Sequence, residues 1–149
     1  VDVKSAREML AASVAAAQDA TVFVATAAVA DWRPAMPSTQ KIKKDGSKAP
    51  SIELVQNPDI LADVAAMPEP PFCVGFAAES QNLDDYAEAK RLRKRLPLVI
   101  GNLVSDGLGT ADNCVTLYDE TGRYPLPPLS KPVLARRLVD ELAARLNKA

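Results

Sequence analysis

Ala6, Met9, Leu10 and Val14 recur three or four residues apart, the period of one helix face. Ser5 and Glu8 frame the start as a capping box, each side chain reaching an otherwise orphaned backbone N–H, so the pattern predicts a helix over 5–18. TVFVATAAVA, residues 21–30, has no period. Unbroken and rich in Val and Thr, it reads as a strand covered on both faces, and it stops at Asp31-Trp32-Arg33-Pro34. Residues 34–50 are polar, basic and bracketed by prolines, and read as a long, mobile loop. SIELVQ, 51–56, alternates and predicts a short strand. Asn57-Pro58-Asp59 then opens a helix to about Met67, with Asn57 as the cap, Pro58 in the first helical position and Asp59 at the positive helix end.

FCVGFAA, 72–78, predicts a second buried strand. A helix follows over about 83–96, with Asp84 and Asp85 early and Lys90, Arg91, Arg93, Lys94 and Arg95 late, matching the helix dipole. PLVIGN, 97–102, is a third apolar strand, CVTLYD and RYPLP flank Glu120-Thr121-Gly122 as a hairpin, and Ser130 caps a last helix to about Leu146. This order predicts an α/β domain over 1–149: a Rossmann-like three-layer α/β/α arrangement with a mainly parallel sheet and a β-hairpin edge. Doubly wound folds ordinarily begin with a strand and a glycine-bearing turn. This chain passes from Val1-Asp2-Val3 straight into a helix, so the first strand and its loop are expected to lie outside it.

Composition removes whole mechanisms. Among 149 residues there is no histidine, which excludes Ser-His-Asp and Cys-His nucleophiles, His-ligated zinc and imidazole acid–base work within the chain. A net charge of −1 argues against a nucleic-acid partner. Cys73 and Cys114 are too far apart for a CxxC metal pair, and their apolar settings read as buried small hydrophobes. No apolar run approaches the ~18 residues of a membrane span. No targeting pattern is read, and the cytoplasm is the expected compartment.

Ligands of open α/β sheets bind beyond the carboxyl ends of strands. Three such ends stand out. Asp31 follows an apolar strand and could meet a ribose or a metal, or could simply start a turn. Asn57, Pro58, Asp59 and Ile60 present helix-start N–H groups to an anion or base edge, or merely cap the helix. Gly75 permits close approach and Phe76 could pack on a base, or both belong to the core. Lys41, Lys43 and Lys44 follow Asp31, and Lys90 and Lys94 share one helix face; these could clamp a triphosphate, or could be solvated charge. No Walker A sequence and no GxGxxG occurs.

AAVADWRP, the KIKK run ten residues after Asp31, NPDILA, VGFAAE and Y-A-x-x-K-R-x-R-K over Tyr86–Lys94 occur in that order. GNLVSDG, DNCVTL and LSK follow them. Together they resemble the phosphopantothenate–cysteine ligase family, the CoaB-type synthetase part of the bacterial bifunctional coenzyme A biosynthesis protein. The resemblance implies a ligase that uses CTP, with Mg²⁺, to activate 4′-phosphopantothenate as an acyl-cytidylate, which L-cysteine then opens. It carries Asp31, Lys41, Asn57, Pro58, Asp59, Ile60, Phe76, Lys90 and Lys94 to CTP-binding positions. Ala27 and Ala28 match alanines lining the active site, and with Lys41 they form the implied catalytic group. Residues 34–50 correspond to a flexible flap. The resemblance further implies a homodimer, frequent fusion to a flavin-dependent decarboxylase, and no FMN in this chain. The family's upstream ISN-x-SSGKMG loop has no counterpart in these residues. Two other readings share the fold class: a Rossmann-type NAD(P)-binding reductase domain and a non-catalytic nucleotide-sensing module.

Overall fold

The computed structural model describes residues 1–38, 40–43, 51–107 and 109–147. The capping box at Ser5 is present in both directions: Glu8 N donates to Ser5 Oγ and Ser5 N to Glu8 Oε2, each at 3.2 Å. It starts α1 (Ala6–Ala17). Then come β1 (Val22–Ala25), β2 (Trp32–Pro34), β3 (Leu54–Gln56), α2 (Ile60–Ala65), β4 (Phe72–Glu79), α3 (Leu83–Arg93) and β5 (Leu98–Leu103). The chain closes with α4 (Val104–Gly107), β6 (Asp112–Asn113), β7 (Thr116–Asp119), β8 (Gly122–Pro125), β9 (Leu129–Ser130) and α5 (Lys131–Leu146).

The main sheet has the order β1-β4-β5-β7-β8. The pairs β1·β4 and β4·β5 are parallel, and β5·β7 and β7·β8 antiparallel, so parallel core strands carry a hairpin edge as the pattern predicts. Alternation along β4 divides the core. Cys73 and Ala77 face a cluster with Ala17 of α1, Ile60, Leu61 and Val64 of α2 and Ala87 of α3. Val74 faces the opposite cluster, with Leu98, Ile100, Leu117 and Leu134 of α5. Helices therefore cover both faces of the sheet. Among the described residues no helix is long and apolar enough to cross a membrane.

Several local expectations change. The run 21–30 forms a strand only over Val22–Ala25. Among the described residues it pairs with β4 alone; Phe23 and Ala25 pack on one core cluster and Val22 on the other, while Val24 is exposed. Beyond Ala25 the chain leaves β4, which runs on to Glu79, and 26–30 lie outside the sheet. SIELVQ contributes only Leu54–Gln56, which pairs antiparallel with β2 in a separate two-stranded ribbon. In the 34–50 segment, residues 39 and 44–50, with Lys44 and Lys48, lie outside the described residues. Helix α3 stops at Arg93 because Arg95 takes a left-handed φ of 53°, which drops Leu96 into the core. Ser130 stands at the start of α5 without a side-chain capping bond. Cys73 is buried as expected, but Cys114 is only half-buried, with its thiol 3.5 Å from the Leu126 carbonyl.

Two glycines permit helix–strand approach. A Cβ on Gly75 would lie 2.9 Å from Leu61 Cδ2 and 3.0 Å from Leu96 Cδ1. Gly75 thus lets α2 pack on β4, and its close approach is to the core rather than to a ligand. At Gly101 the corresponding neighbours are Tyr118 Cε2 at 2.9 Å and Leu83 Cδ1 at 3.0 Å.

Buried Tyr118 donates its hydroxyl to Asp84 Oδ1 at 2.6 Å, tying β7 to the start of α3, and Arg123 of β8 pairs with the same carboxylate. Burial first, then the Asp84 bond and charge, push the Tyr118 pKa up from its ordinary 10 to about 12. The folded state therefore holds the phenolic proton more tightly than the unfolded chain, and this contribution is intact below pH 10 and lost as pH rises through 12. Urea titrations of wild type should show stability falling across that window. Tyr118→Phe should lack that component, and identical alkaline slopes would refute it.

Candidate functional site

The carboxyl ends of β1 and β4 open into a cleft of about 440 Å³. One wall is the segment that leaves β1, from Thr26 to Asp31. The facing wall is Asn57, Pro58, Asp59 and Ile60, and Phe76 of β4 with Lys90 and Lys94 of α3 close the third side. The cleft thus gathers Ala27, Ala28, Asp31, the 57–60 turn, Phe76, Lys90 and Lys94 from four separate stretches of sequence.

Hydrogen bonds fix the two walls against each other. Asn57 Nδ2 donates to the Ala30 carbonyl at 2.8 Å, and Asn57 N to the Asp31 carbonyl at 2.7 Å. Arg33 of β2 donates to the Gln56 carbonyl and, at 3.2 Å, to Asn57 Oδ1. Asn57 is consequently not the helix cap. Its amide is spent on the neighbouring segment, and Asp59 caps α2 instead, accepting from Ala62 N at 3.2 Å. Pro58 accordingly precedes the cap rather than opening the first turn.

The lysines sit one helical turn apart on α3. Lys90 Nζ donates to the Phe76 carbonyl. Burial foremost, then the nearby charge of Lys94, lowers the Lys90 pKa, against the pull of Glu79 and Asp59. Lys94 Nζ lies 2.6 and 2.7 Å from the two Asp59 carboxylate oxygens. For Asp59, burial raises the pKa, but the Lys94 and Ala62 hydrogen bonds and the Lys94 and Arg93 charges outweigh it, and the net shift is downward. The site therefore holds two cations, Lys90 on the Phe76 carbonyl and Lys94 on Asp59, and one bare carboxylate, Asp31, on the opposite wall; Asp31 has no ion-pair partner among the described residues.

Phe76 is half-buried. It lines the cleft while its ring packs against the α5-side cluster. Lys41 and Lys43 are exposed on the stretch beyond β2, outside the cleft lining. Sequence reading missed Arg33, which appeared only as part of a turn, and Met9 and Ser13 of α1, which also line the cleft. Their spacing of four was a signal that both share one helix face.

A larger cleft, about 1120 Å³, lies at the other end of the sheet between α3, α5 and the hairpin. It contains none of the candidate residues. Three of its four arginines are engaged with carboxylates, Arg91 with Glu88 at 2.6 Å, Arg145 with Asp119 at 3.0 Å and Arg137 with Glu141 at 2.7 Å.

The model of the DNA/pantothenate metabolism flavoprotein C-terminal domain family matches residues 1–146. The chain belongs to this family. A family relative, the coenzyme A biosynthesis bifunctional protein CoaBC of Vibrio vulnificus, is 44% identical over 147 residues, covering 95% of this chain and 37% of the relative. CoaBC of Escherichia coli is 41% identical over 154 residues, covering 99% of the chain and 38% of the relative. The chain thus spans well under half the length of these relatives. The crystal structure of the C-terminal domain of a CoaBC protein superposes with a TM-score of 0.80 at 31% identity, covering 100% of this chain and 66% of that one. The α/β architecture is therefore the family's own. Within it, the cleft lies where the DNA/pantothenate metabolism flavoprotein C-terminal domain brings β1, α2 and β4 together.

Proposed function

We propose that this chain carries the phosphopantothenate–cysteine ligase activity of coenzyme A biosynthesis, acting in the cytoplasm with CTP, 4′-phosphopantothenate and L-cysteine. The observation that carries the reading is the cleft that brings Asp31, the 57–60 turn, Phe76, Lys90 and Lys94 together. Membership of the family, and relatives named for coenzyme A biosynthesis, support it.

In this reading a carboxylate oxygen of phosphopantothenate attacks the α-phosphorus of CTP, and the bond to pyrophosphate breaks. The cysteine amine then attacks the acyl carbon, CMP leaves with the bonding pair, and the amine loses its proton. Both steps call for charge stabilisation and placement more than for a strong base, so a chain without histidine suffices. Lys90 and Lys94 meet the phosphates. Asn57, held by Ala30 and Asp31, keeps the two walls at a fixed spacing around the nucleotide. Ala27 and Ala28 leave room for the acyl group. Lys41, exposed beyond β2, adds a cation from outside the cleft.

Among the described residues no three His, Cys, Asp or Glu side chains gather to hold a metal. With Asp59 engaged by Lys94, the cleft offers the carboxylate of Asp31. That donor set fits a Mg²⁺ held chiefly by the nucleotide's own phosphates, shielding their charge when bound.

The homodimer belongs to the same proposal. Its support lies less in the hairpin than in the β2–β3 ribbon and its flanks, where Trp32, Met36, Ile52 and Leu54 are exposed. That ribbon stands apart from the main sheet with apolar side chains in solvent.

The test is CTP-dependent release of pyrophosphate in the presence of phosphopantothenate and cysteine, measured on this chain alone and fused to the remainder of the E. coli relative. Release with CTP is expected. Binding of NADPH without CTP would point to the reductase reading, and CTP binding without release to the sensor. In the active form, Lys41→Gln should slow acyl-cytidylate formation more than tenfold, about 1.4 kcal/mol or more of transition-state stabilisation. An unchanged single-turnover rate would remove Lys41 from the machinery.

A further inference from the structure

Lys94 is not waiting free in the cleft. Its ammonium is lodged against Asp59, 2.6 and 2.7 Å from the two oxygens, with the lysine side chain only 12% exposed and the aspartate 46% exposed. Asp59 is itself anchored, because its Oδ1 also accepts from Ala62 N at the start of α2. The pair therefore bridges α2 and α3 across the cleft. An ammonium has three donor hydrogens. A phosphate reaching the remaining one would stand beside the Asp59 carboxylate, where like charges repel.

We propose that Asp59 is a latch on Lys94: in the empty site the carboxylate takes the place of a phosphate, and an incoming polyphosphate must displace it. This rests on the nucleotide reading of the cleft and adds a competitor to it. The same competition runs in reverse after reaction. Once pyrophosphate is formed, Asp59 regains Lys94 and helps expel it. A site with two unopposed lysines would hold its product too well.

Asp59→Asn separates this from a structural role, because asparagine is as good a helix cap as aspartate and keeps the acceptor for Ala62 N. Isothermal titration at low salt with Mg·CTP, and separately with inorganic tripolyphosphate, is expected to show about tenfold tighter binding to Asp59→Asn than to wild type. In the Lys94→Gln background the Asp59 substitution should tighten both affinities by clearly less than it does in wild type, and an equal gain in the two backgrounds would overturn the latch in favour of plain charge repulsion. In the active enzyme, pyrophosphate should become a correspondingly stronger product inhibitor, with KM for CTP and kcat both falling.

Equal or weaker binding by Asp59→Asn, with wild type still binding CTP, overturns the latch and leaves the nucleotide site standing. Tighter tripolyphosphate binding with no CTP binding by either protein keeps the latch and overturns the nucleotide reading. Binding of neither probe by either protein overturns both. Asp59→Ser, which also caps a helix without charge, replaces the asparagine variant should that one fail to fold.

Discussion

Replacing Lys90 with glutamine is expected to cut CTP-dependent pyrophosphate release at least a hundredfold. That corresponds to about 2.7 kcal/mol of lost transition-state stabilisation. The expectation rests on where the charge is held. The Lys90 ammonium is bonded to the Phe76 carbonyl at the end of β4, so its position is set by the sheet rather than by a free side chain. The charge that grows on the phosphates as pyrophosphate departs meets a cation that needs no reorganisation. Glutamine keeps an N–H donor on the same face but is one bond shorter, so the substitution removes the charge and lengthens the reach to the Phe76 carbonyl. Single-turnover formation of the acyl-cytidylate, with a thermal melt to confirm the fold, is the measurement. A rate within threefold of wild type would show that Lys90 serves only to fasten α3 to β4.

The largest effect on stability is expected at Leu98. It begins the central strand β5, is fully buried, and stands opposite Val74 of β4. Around it lie Ile100, Val115, Leu117 and Leu134. Leu98→Ala removes the transfer energy of the lost carbons and leaves a cavity that two sheet neighbours and α5 cannot all collapse into. The expected cost is about 3–4 kcal/mol, read from urea titration, with a fall in Tm of roughly 10 °C for a domain of this size. Leu98→Met should cost less than about 1.5 kcal/mol, because it nearly conserves volume. A loss below about 1 kcal/mol for the alanine variant would mean that the α5 side is loosely packed.

The strands and helices of the sheet were legible because burial writes a strong period. FCVGFAA and PLVIGN lie within β4 and β5 or overlap them closely, and the capping box starts α1 where it should. The failures have physical causes. TVFVATAAVA is apolar throughout, but past Ala25 the chain turns away from β4 to form a wall of the cleft, although β4 itself runs on to Glu79. Composition cannot report pairing. SIELVQ alternates, yet it pairs with Trp32–Pro34 in a ribbon of its own, and alternation does not say which sheet a strand joins. Asn57 has the chemistry of a cap, but the Ala30 carbonyl and Arg33 claim it first, and Asp59, equally suited, takes the role. Gly75 illustrates the same limit: its missing Cβ serves Leu61 and Leu96 rather than a ligand. In the cleft, the residue types and their order along the chain were readable. That Lys94 would be paired with Asp59 was not, since the two meet only when α2 and α3 pack on the same face of the sheet.

The pairing of β1 with β4 carries a consequence for how the domain opens. Val74 meets Leu98, and Val99 meets Tyr118, across short stretches of chain, whereas Val22 must find Phe72 from much farther away. Closing the longer loop costs more entropy, and an edge strand recovers hydrogen bonds on one side only. The unit β4-β5-β7-β8 can therefore persist while β1 detaches, and backbone amides of Val22–Ala25 exchange with solvent before those of the inner strands β4 and β5. One wall of the cleft runs directly on from that strand. A molecule gripped between Asp31 and Asn57 binds only while β1 is docked, so it acts as a clasp on that edge strand, and its affinity is readable as slowed exchange there.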